Sequence, residues 1–577
     1  MCIEKVEDKF MSIIAGIVCL SSETLPPKIY ECLLKVFPRG AWTQNKYHSP
    51  TAIILQATQS IFRQSDWIED LQVVIAIAGL PLHKDAVDNP ADLFYRAYFD
   101  NKLATVLPFA NGTFTALWYD KRQKTLVIAS DSLGGRPMYY VEQANCLIFS
   151  TSLSLLRSLP WLELTPDLSA FAEQEALGYP LGNRTCYHEV HLLLDNELLV
   201  VNSKQIQTSR YYDWTTLAQD TSDDLDDVAR VAACAVKNAV IERVNWGSHH
   251  ETALLSGGLD SRVIVSLLNT LGRPVQAINI SRKDSQDDVL ASRFAQHIGV
   301  SLEKAPWNPL LPGITTGDTT ARMLTAATIS VRGKAVFSGD GGGETLGILL
   351  FDPATHDCLV EGNLSGAVLA HTHNYSPPKR MLHRDAIAVM MNAAQQALMA
   401  DLLSKHSVPV SKAMQISLLC NDLRCHLHEY FDRISDTEVE LLLPFYDRRV
   451  IESVLRLPLP LDRHLYHRFY MRVLEFLPAD IRDIAWQSYP GRPPSPVPPD
   501  SGIPNQWSIV NRCFGDDQCR NAIRRILNGN IAPPVRQLAL GAAIIMHLLR
   551  IKNFASSFRF VNALSELYDP CSLKRQH

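Results

Sequence analysis

Short apolar runs separated by turn signals fill the first 215 or so residues of the chain. Runs such as IIAGIVCL, VVIAIAGL and TLVIASD have the length and the branched side chains of buried strands. From Asp224 the spacing changes, because DLDDVARVAACAVKNAVIERV places apolar residues three and four apart behind an acidic first turn. That spacing predicts an amphipathic helix. We therefore expect a boundary near 213–224, between a β-rich domain of residues 1–215 and a second domain of residues 216–577.

The second domain begins with apolar strands that run into glycine turns and alternate with helical segments. TALLSGGLDSRVIVSLLNTLG, PVQAINIS and AVFSGDGGGE follow this pattern, which is typical of a parallel α/β sheet. Its last half reads as mostly helical, and its proline-dense segment from Tyr489 to Pro504 predicts a loop or lid. The apolar run from Leu538 to Leu549 is about half as long as a membrane span requires and predicts a buried helix.

Composition narrows the class of protein without naming a function. The 577 residues are 46% hydrophobic and 20% charged, which fits a globular protein of several domains. A net charge of −5 gives no broad basic surface, so nucleic acid is not an expected partner. The first ten residues do not resemble a signal peptide, and twelve cysteines are scattered without a framework. These features predict a cytoplasmic protein with reduced thiols and no membrane span.

The segment Ser256–Ser261, SGGLDS, carries the strongest chemical signal. An apolar strand leads into it and an amphipathic helix follows, so its backbone N–H groups lie where the helix dipole favours an anion. Glycine allows close approach to phosphate oxygens, the two serine hydroxyls add donors, and Asp260 suits a magnesium ion that bridges phosphates. The alternative is an ordinary glycine turn, which the unbroken match between a strand and a helix disfavours.

SGGLDS resembles the pyrophosphate-binding loop of the asparagine synthetase superfamily. Four more segments resemble that family in the same order: 111–140, which ends in a D-x-x-G-x-x-P-x-Y-Y pattern, RYYD at 210–213, SGDGGGE at 338–344 and EVELLLPFYDRRVIE at 438–452. The resemblance implies an α/β fold: an N-terminal αββα sandwich like the class II glutamine amidotransferases and a C-terminal ATP-pyrophosphatase domain with helical additions. It also implies ATP and Mg²⁺, adenylation of a carboxylate, release of AMP and pyrophosphate, and capture of the acyl group by an amine.

The resemblance also assigns the site residues. The nucleotide is expected at two sets of positions: Leu255, Ser256, Gly257, Gly258, Leu259, Asp260 and Ser261 in the first loop region, and Ile280, Gly339 and Gly341 further on. Asp260, Asp340 and Glu344 are expected to bind the metal, and Asp340 and Glu344 to act in catalysis. Gly343 stands where the family has an aspartate, and the family's late lysine is missing, so Arg482 or Arg492 is left to replace it. The alternative is that SGDGGGE is only a turn.

The first domain departs from the glutamine-hydrolysing pattern. Ser12 stands where the family has its N-terminal cysteine, whereas Cys2 lies about ten residues before the matching strand. Ala78-Gly79-Leu80 replaces the turn that binds glutamine. These departures predict that glutamine is not hydrolysed and that the substrate, a peptide or a small molecule, brings its own amine.

Two relatives form such amides, the lasso peptide cyclases and the β-lactam synthetases. The helical tail from Pro533 to Phe558 and Asp340 in place of a tyrosine favour the lasso peptide cyclase, with a leader-peptide protease as a possible partner. The rival hypotheses are a glutamine-dependent asparagine synthetase that uses Cys2, and a degenerate scaffold without turnover. We interpret Cys420, Cys425, His426 and His428 as residues of a helix face rather than a metal cluster.

Overall fold

The structure is a computed structural model, and it describes most of the chain. The ranges are 12–20, 24–37, 43–58, 66–83, 90–217, 221–222, 224–244, 250–306, 334–346, 352–373, 375–432, 439–459, 463–486, 503 and 518–568. The prediction of a loop or lid between Tyr489 and Pro504 therefore lies outside the described residues, apart from Ile503.

Two antiparallel sheets make up the first domain. Its strands are β1 (Ser12–Cys19), β2 (Thr43–His48), β3 (Ala52–Thr58), β4 (Trp67–Glu69), β5 (Val73–Gly79), β6 (Phe114–Asp120), β7 (Thr125–Ser130), β8 (Tyr139–Gln143), β9 (Cys146–Ser150), β10 (His191–Leu192), β11 (Glu197–Val201) and β12 (Ile206–Arg210). One sheet has the order β10-β8-β9-β1-β3-β2 and the other β12-β11-β7-β6-β5-β4.

Strand β1 shows why these strands read as continuous apolar runs. Ile14 and Val18 face the second sheet, whereas Ile13 and Ile17 face the opposite way and join the core that includes Leu33. Because successive side chains alternate, a strand buried on both faces has no polar side. The helices Pro27–Val36, Pro90–Phe99, Leu103–Val106, Leu153–Arg157 and Leu168–Leu177 belong to this half of the chain. The predicted αββα sandwich is confirmed.

The second domain is built on a parallel sheet of five strands: β13 (Glu251–Leu254), β14 (Val275–Ser281), β15 (Ser301–Pro306), β16 (Lys334–Phe337) and β17 (Val439–Leu442). Their order is β15-β14-β13-β16-β17. After β13 the chain adds β14 and then β15 on one side of β13, and it later adds β16 and β17 on the other side. The loops that follow β13 and β16 therefore flank the crevice where strand order reverses, which is where open α/β sheets bind ligands.

Helices surround this sheet and continue to the end of the described chain. They are Trp214–Leu217, Leu225–Val244, Leu259–Thr270, Gln286–Ile298, Gly342–Thr345, Pro353–Val360, Leu364–His371, Arg384–Met390, Ala393–Ser404, Val410–Leu418, His428–Asp432, Arg448–Leu455, Arg463–Glu475, Gln537–Leu548 and Ala555–Leu567. A π-helical turn, Leu419–Leu423, continues directly from Val410–Leu418.

Two apolar helical segments needed testing against the structure. Arg384–Ser404 is long and apolar enough to cross a membrane, but it is interrupted at Met391 and Asn392, and Asn392 has a left-handed φ of 64°. Length and composition alone are weak evidence for a span. The run ending at Leu549 forms the helix Gln537–Leu548, but our prediction that it is buried was wrong for one of its faces. Leu538 is 92% exposed, because only the opposite face packs on the protein.

Candidate functional site

The segment SGGLDS leads from β13 into the helix Leu259–Thr270, as the sequence predicted, but only Ser256, Gly257 and Gly258 form the loop, because Leu259, Asp260 and Ser261 already lie in the first turn of the helix. The backbone N–H of Ser256 donates to Ser261 Oγ at 3.0 Å, and that of Gly258 donates to Ser256 Oγ at 3.2 Å. Gly257 N–H donates to Asp287 Oδ1 at 3.2 Å. The loop is thus held by its own serines and by a carboxylate from the helix Gln286–Ile298. Gly258 is the N-cap of the helix, so the loop lies at its N-terminus.

Asp260 lies in the first turn of that helix and accepts two hydrogen bonds. Tyr470 donates its hydroxyl to Oδ1 at 2.5 Å, and the backbone N–H of Gly343 donates to Oδ2 at 3.1 Å. Burial, together with the negative charges of Glu344 and Asp340, raises the pKa of Asp260 to about 7, against the lowering effect of the hydrogen bonds from Tyr470 and Gly343. These carboxylates of the first and second loops therefore repel one another across the crevice.

The second loop, SGDGGGE, packs directly on the first loop. A Cβ atom at Gly339 would lie 2.4 Å from the backbone nitrogen of Ser261, and one at Gly342 would lie 2.8 Å from Cγ of Asp260. Real Cβ atoms do not approach so closely, so glycine is required at both positions. Gly341 is the N-cap of the short helix Gly342–Thr345. The two loops that the sequence singled out are therefore parts of one site.

A histidine that sequence reasoning set aside faces this site. His426 Nε2 lies 3.2 Å from Asp340 Oδ1. The charge of Asp340 first, and those of Glu344 and Asp422 after it, raise the pKa of His426 to about 10, although burial opposes the shift. His426 lies in the turn between the π-helical turn Leu419–Leu423 and the helix His428–Asp432, not on a helix face as predicted, and only tertiary packing shows that it meets the second loop. Of the other residues set aside, buried His428 lies 3.1 Å from the carbonyl oxygen of Gly134 in the first domain.

The carboxylate oxygens at the crevice suit a magnesium ion that is bound together with phosphates. Among the described residues, no three His, Cys, Asp or Glu side chains form a preformed metal site. Magnesium usually keeps several waters and takes one or two protein carboxylates, with phosphate oxygens as further ligands. Asp260 offers a carboxylate whose pKa is raised by burial and by the charges of Glu344 and Asp340, and a cation would relieve the repulsion between these carboxylates. The assignment of these three residues to the metal stays a prediction.

A buried arginine lies behind the first loop and was not predicted. Arg262 donates to the carbonyl oxygens of Gly257 at 3.3 Å, Ile484 at 2.6 Å and Ala485 at 2.7 Å. Burial lowers its pKa to about 10. It therefore ties the loop to the chain that leads into 485–489, where the family carries its late lysine. Arg492 lies outside the described residues, and whether Arg482 replaces the lysine stays a prediction.

The remaining predicted nucleotide residues are part of the framework behind the loop. Leu255 is 1% exposed and its N–H donates to the carbonyl oxygen of Ile278, at 2.9 Å. Leu259 begins the helix, and Ile280 lies in β14 and is 4% exposed. Asn279, which no motif indicated, donates its amide to the carbonyl oxygen of Leu255 at 2.8 Å. Their contact with a nucleotide stays a prediction.

A buried polar network lies where the first domain would need a nucleophile. Ser12 begins β1 and is 4% exposed, and its carbonyl oxygen accepts from Arg136 Nη2 at 3.1 Å. Arg136 Nη1 also pairs with Glu440 of β17 at 2.8 Å, which joins the two domains. Burial, followed by the charge of Glu440, raises the pKa of Asp66 to about 7. Cys2 lies outside the described residues.

Comparisons with known families match both halves of the chain. Residues 96–212 match the family described as glutamine amidotransferase domain, and residues 233–465 match the family described as asparagine synthase. The glutamine-hydrolysing asparagine synthetase 3 of Bacillus subtilis strain 168 is 22% identical over 158 residues. That match covers 27% of this chain and only 25% of the relative.

Two solved structures also match, at low sequence identity. The allosteric regulatory enzyme of purine biosynthesis is 10% identical, with 56% of this chain and 74% of that chain covered and a TM-score of 0.24. The glutamine phosphoribosylpyrophosphate amidotransferase of B. subtilis is 11% identical with the same coverage and a TM-score of 0.23. Scores this low add nothing to the description of the fold.

Proposed function

We propose that this chain, which carries the two domains of the asparagine synthetase superfamily, is an ATP-dependent ligase that adenylates a carboxylate and joins it to an amine. The observation that supports this most is the meeting of two loops at the reversal point of the sheet. There Asp260, at the N-terminus of a helix, accepts a hydrogen bond from Gly343 of the second loop. Phosphates of ATP would bind at 256–261, where the helix dipole stabilises negative charge.

The side chains at the crevice suit the two halves of this reaction. Asp260, with Asp340 or Glu344, would hold a magnesium ion that neutralises the pyrophosphate charge. The loop would hold the α-phosphate against the attacking carboxylate, so that positioning supplies much of the rate. Asp340 or Glu344 would then accept the proton of the attacking amine. Asp340 of the second loop pairs with His426, and this pair fixes the orientation of the Asp340 carboxylate.

We further propose that the amine belongs to the substrate itself and that the product is a macrolactam, most simply a lasso peptide. Three features of the first domain support a substrate amine: Ser12 replaces the cysteine, Ala78-Gly79-Leu80 replaces the glutamine-binding turn, and Arg136 occupies the region next to Ser12. The substrate must then supply both the carboxylate and the amine, and a peptide with an N-terminal amine and an acidic side chain does so. Cytoplasmic ATP suits this reaction, and the nine cysteines that the structure describes are free thiols.

The test measures AMP and pyrophosphate release from Mg-ATP with a candidate precursor peptide, and the loss of one water from the peptide by mass spectrometry. We compare the wild type with Asp260→Asn, which keeps the shape of the side chain but removes its charge. Asp100→Asn is the matched control, because Asp100 is an exposed carboxylate of the first domain. We expect turnover without glutamine, its loss in Asp260→Asn and no change in Asp100→Asn.

Other outcomes separate the rival functions. If AMP forms only when glutamine is present, and Cys2→Ala abolishes that activity, the chain is a glutamine-dependent synthetase. A small-molecule substrate that is cyclised in place of the peptide favours a β-lactam type of reaction. Mg-ATP binding without turnover on any substrate would support a scaffold, in line with Gly343 in place of the family's aspartate.

A further inference from the structure

The helix Gln537–Leu548 is apolar on all sides, although only one side packs on the protein. Leu540, Ala543 and Ile544 face inward and join the cluster that contains Phe558. On the outward side, Leu538 is 92% exposed. Helices with apolar residues all round are normally buried or embedded in lipid. The outward side of this helix therefore lacks a covering surface among the described residues.

The exposed residues form a continuous stripe that runs past the end of the helix. Ile545 is 59% exposed, Leu548 61%, Leu549 65% and Ile551 68%. Leu538, Ile545 and Leu549 are separated by seven and four residues, which places them on one side of a helix. We define the apolar stripe as Leu538, Ile545, Leu548, Leu549 and Ile551. Contiguous exposed apolar surface of this kind marks an interaction site.

The same part of the chain is strongly basic. Residues 518–565 contain seven lysines and arginines and no aspartate or glutamate, whereas the whole chain has a net charge of −5. Two of the arginines are used internally, since Arg525 pairs with Glu566 and Arg559 pairs with Glu175. Four of the basic side chains are exposed and make no ion pair with any described residue: Arg524, Arg536, Arg550 and Lys552.

We propose that the apolar stripe docks on an anionic membrane surface, with its aliphatic side chains in the interface and Arg550 and Lys552 at the lipid headgroups. The charge of this region complements phosphate groups, and a helix that combines apolar side chains with flanking basic ones suits the interface plane. The helix has twelve residues, too few to cross a bilayer, so it lies on the membrane rather than spanning it.

A membrane surface fits this stripe better than a protein partner does. Protein interfaces concentrate their binding energy in aromatic side chains and arginines at the centre of a packed patch. Of the aromatic side chains near this helix, Phe558 and Phe560 are buried and Phe554 is partly buried, and the stripe itself is entirely aliphatic. The helix packs in a different apolar cluster from the one that holds the loop residue Leu259, so docking need not obstruct the proposed ligase site.

The test is flotation of the purified full-length chain with vesicles of two compositions. One contains phosphatidylcholine alone, and the other includes about 30% phosphatidylglycerol, which carries the negative charge. We expect binding to the anionic vesicles only, and weaker binding at high salt because the attraction is screened. Arg550→Gln/Lys552→Gln should weaken the binding about 30-fold, since each basic residue contributes about fivefold near such a surface.

The apolar contribution is tested with Leu549→Ser/Ile551→Ser. Matched controls are Leu71→Ser, a leucine that is 92% exposed in the first domain, and Lys204→Gln, an exposed lysine there. Circular dichroism shows that each variant is folded. Both double variants should bind anionic vesicles more weakly than the wild type does. The control variants should bind as strongly as the wild type, and pyrophosphate release should be unchanged in all of them.

Three results would overturn the proposal. The first is no flotation of the wild type with anionic vesicles, and the second is equal flotation with both vesicle compositions. The third is that the wild type binds and that Leu549→Ser/Ile551→Ser binds as strongly as the control variant Leu71→Ser. If the wild type fails to float and Leu549→Ser/Ile551→Ser converts a dimer to a monomer in light scattering, the stripe instead contacts a second copy of the chain.

Discussion

Gly339→Ala should damage the site although it adds a single methyl group. The new Cβ would lie 2.4 Å from the nitrogen of Ser261 and 2.6 Å from the carbonyl carbon of Asp260. Both are backbone atoms at the start of a buried helix, so they do not rotate away. Ordinary contact begins at 3.4 Å, so the second loop must move by about 1 Å relative to the first.

A displacement of about 1 Å in reacting groups costs about a hundredfold in rate. We therefore expect pyrophosphate release from Mg-ATP and the acyl substrate to fall about a hundredfold in Gly339→Ala. Overpacking of this kind also costs about 1–3 kcal/mol in the free energy of unfolding. Urea unfolding measures that cost separately, and isothermal titration with Mg-ATP measures binding without the need for an acyl substrate.

Gly541→Ala is the matched control. Nothing lies within 4 Å of a Cβ atom at Gly541, which is inside a helix, so the same substitution should stabilise the chain by about 0.5–1 kcal/mol. It should leave pyrophosphate release unchanged. If a folded Gly339→Ala releases pyrophosphate within about threefold of the wild-type rate, close packing of the two loops does not position the reaction, and our reasoning fails.

Three further predictions follow from the buried charges. Because burial and the neighbouring carboxylates raise the pKa of Asp260 to about 7 from 3.8, the folded chain without ligands holds an extra proton between these pH values. Its free energy of unfolding should thus fall as pH rises through that window, and urea titrations should show a smaller fall in Asp260→Asn. Tyr470→Phe removes a charge-assisted hydrogen bond and should weaken Mg-ATP binding in calorimetry, whereas Tyr95→Phe, which removes a similar bond in the first domain, should not. Arg136→Met leaves Glu440 buried without its partner and should cost about 3–5 kcal/mol in urea unfolding, most of it recovered in Arg136→Met/Glu440→Leu.

Local signals were sufficient for much of the fold. The strands of the first domain are continuous apolar runs because both faces of each sheet are covered, and β1 follows this rule. The helix that SGGLDS leads into was predicted from its spacing, although it begins at Leu259, within that segment, and not after it. The helix near the end of the chain was also predicted, but the burial of its outward face was not correct. Periodicity reports that a segment is apolar, and it does not report how many of its faces find a partner.

Local sequence was enough to single out the two loops, because glycines, serines and Asp260 are recognised by their spacing within a few residues. Which distant residues join these loops depends on the three-dimensional fold. Tyr470 lies 210 residues beyond Asp260, and His426 lies in a turn within a segment whose pattern indicated nothing but packing. The parallel sheet brings the ends of β13 and β16 together. Burial and the neighbouring charges then shift the pKa values of Asp260 and His426. Such contacts depend on three-dimensional packing, which local sequence patterns do not encode.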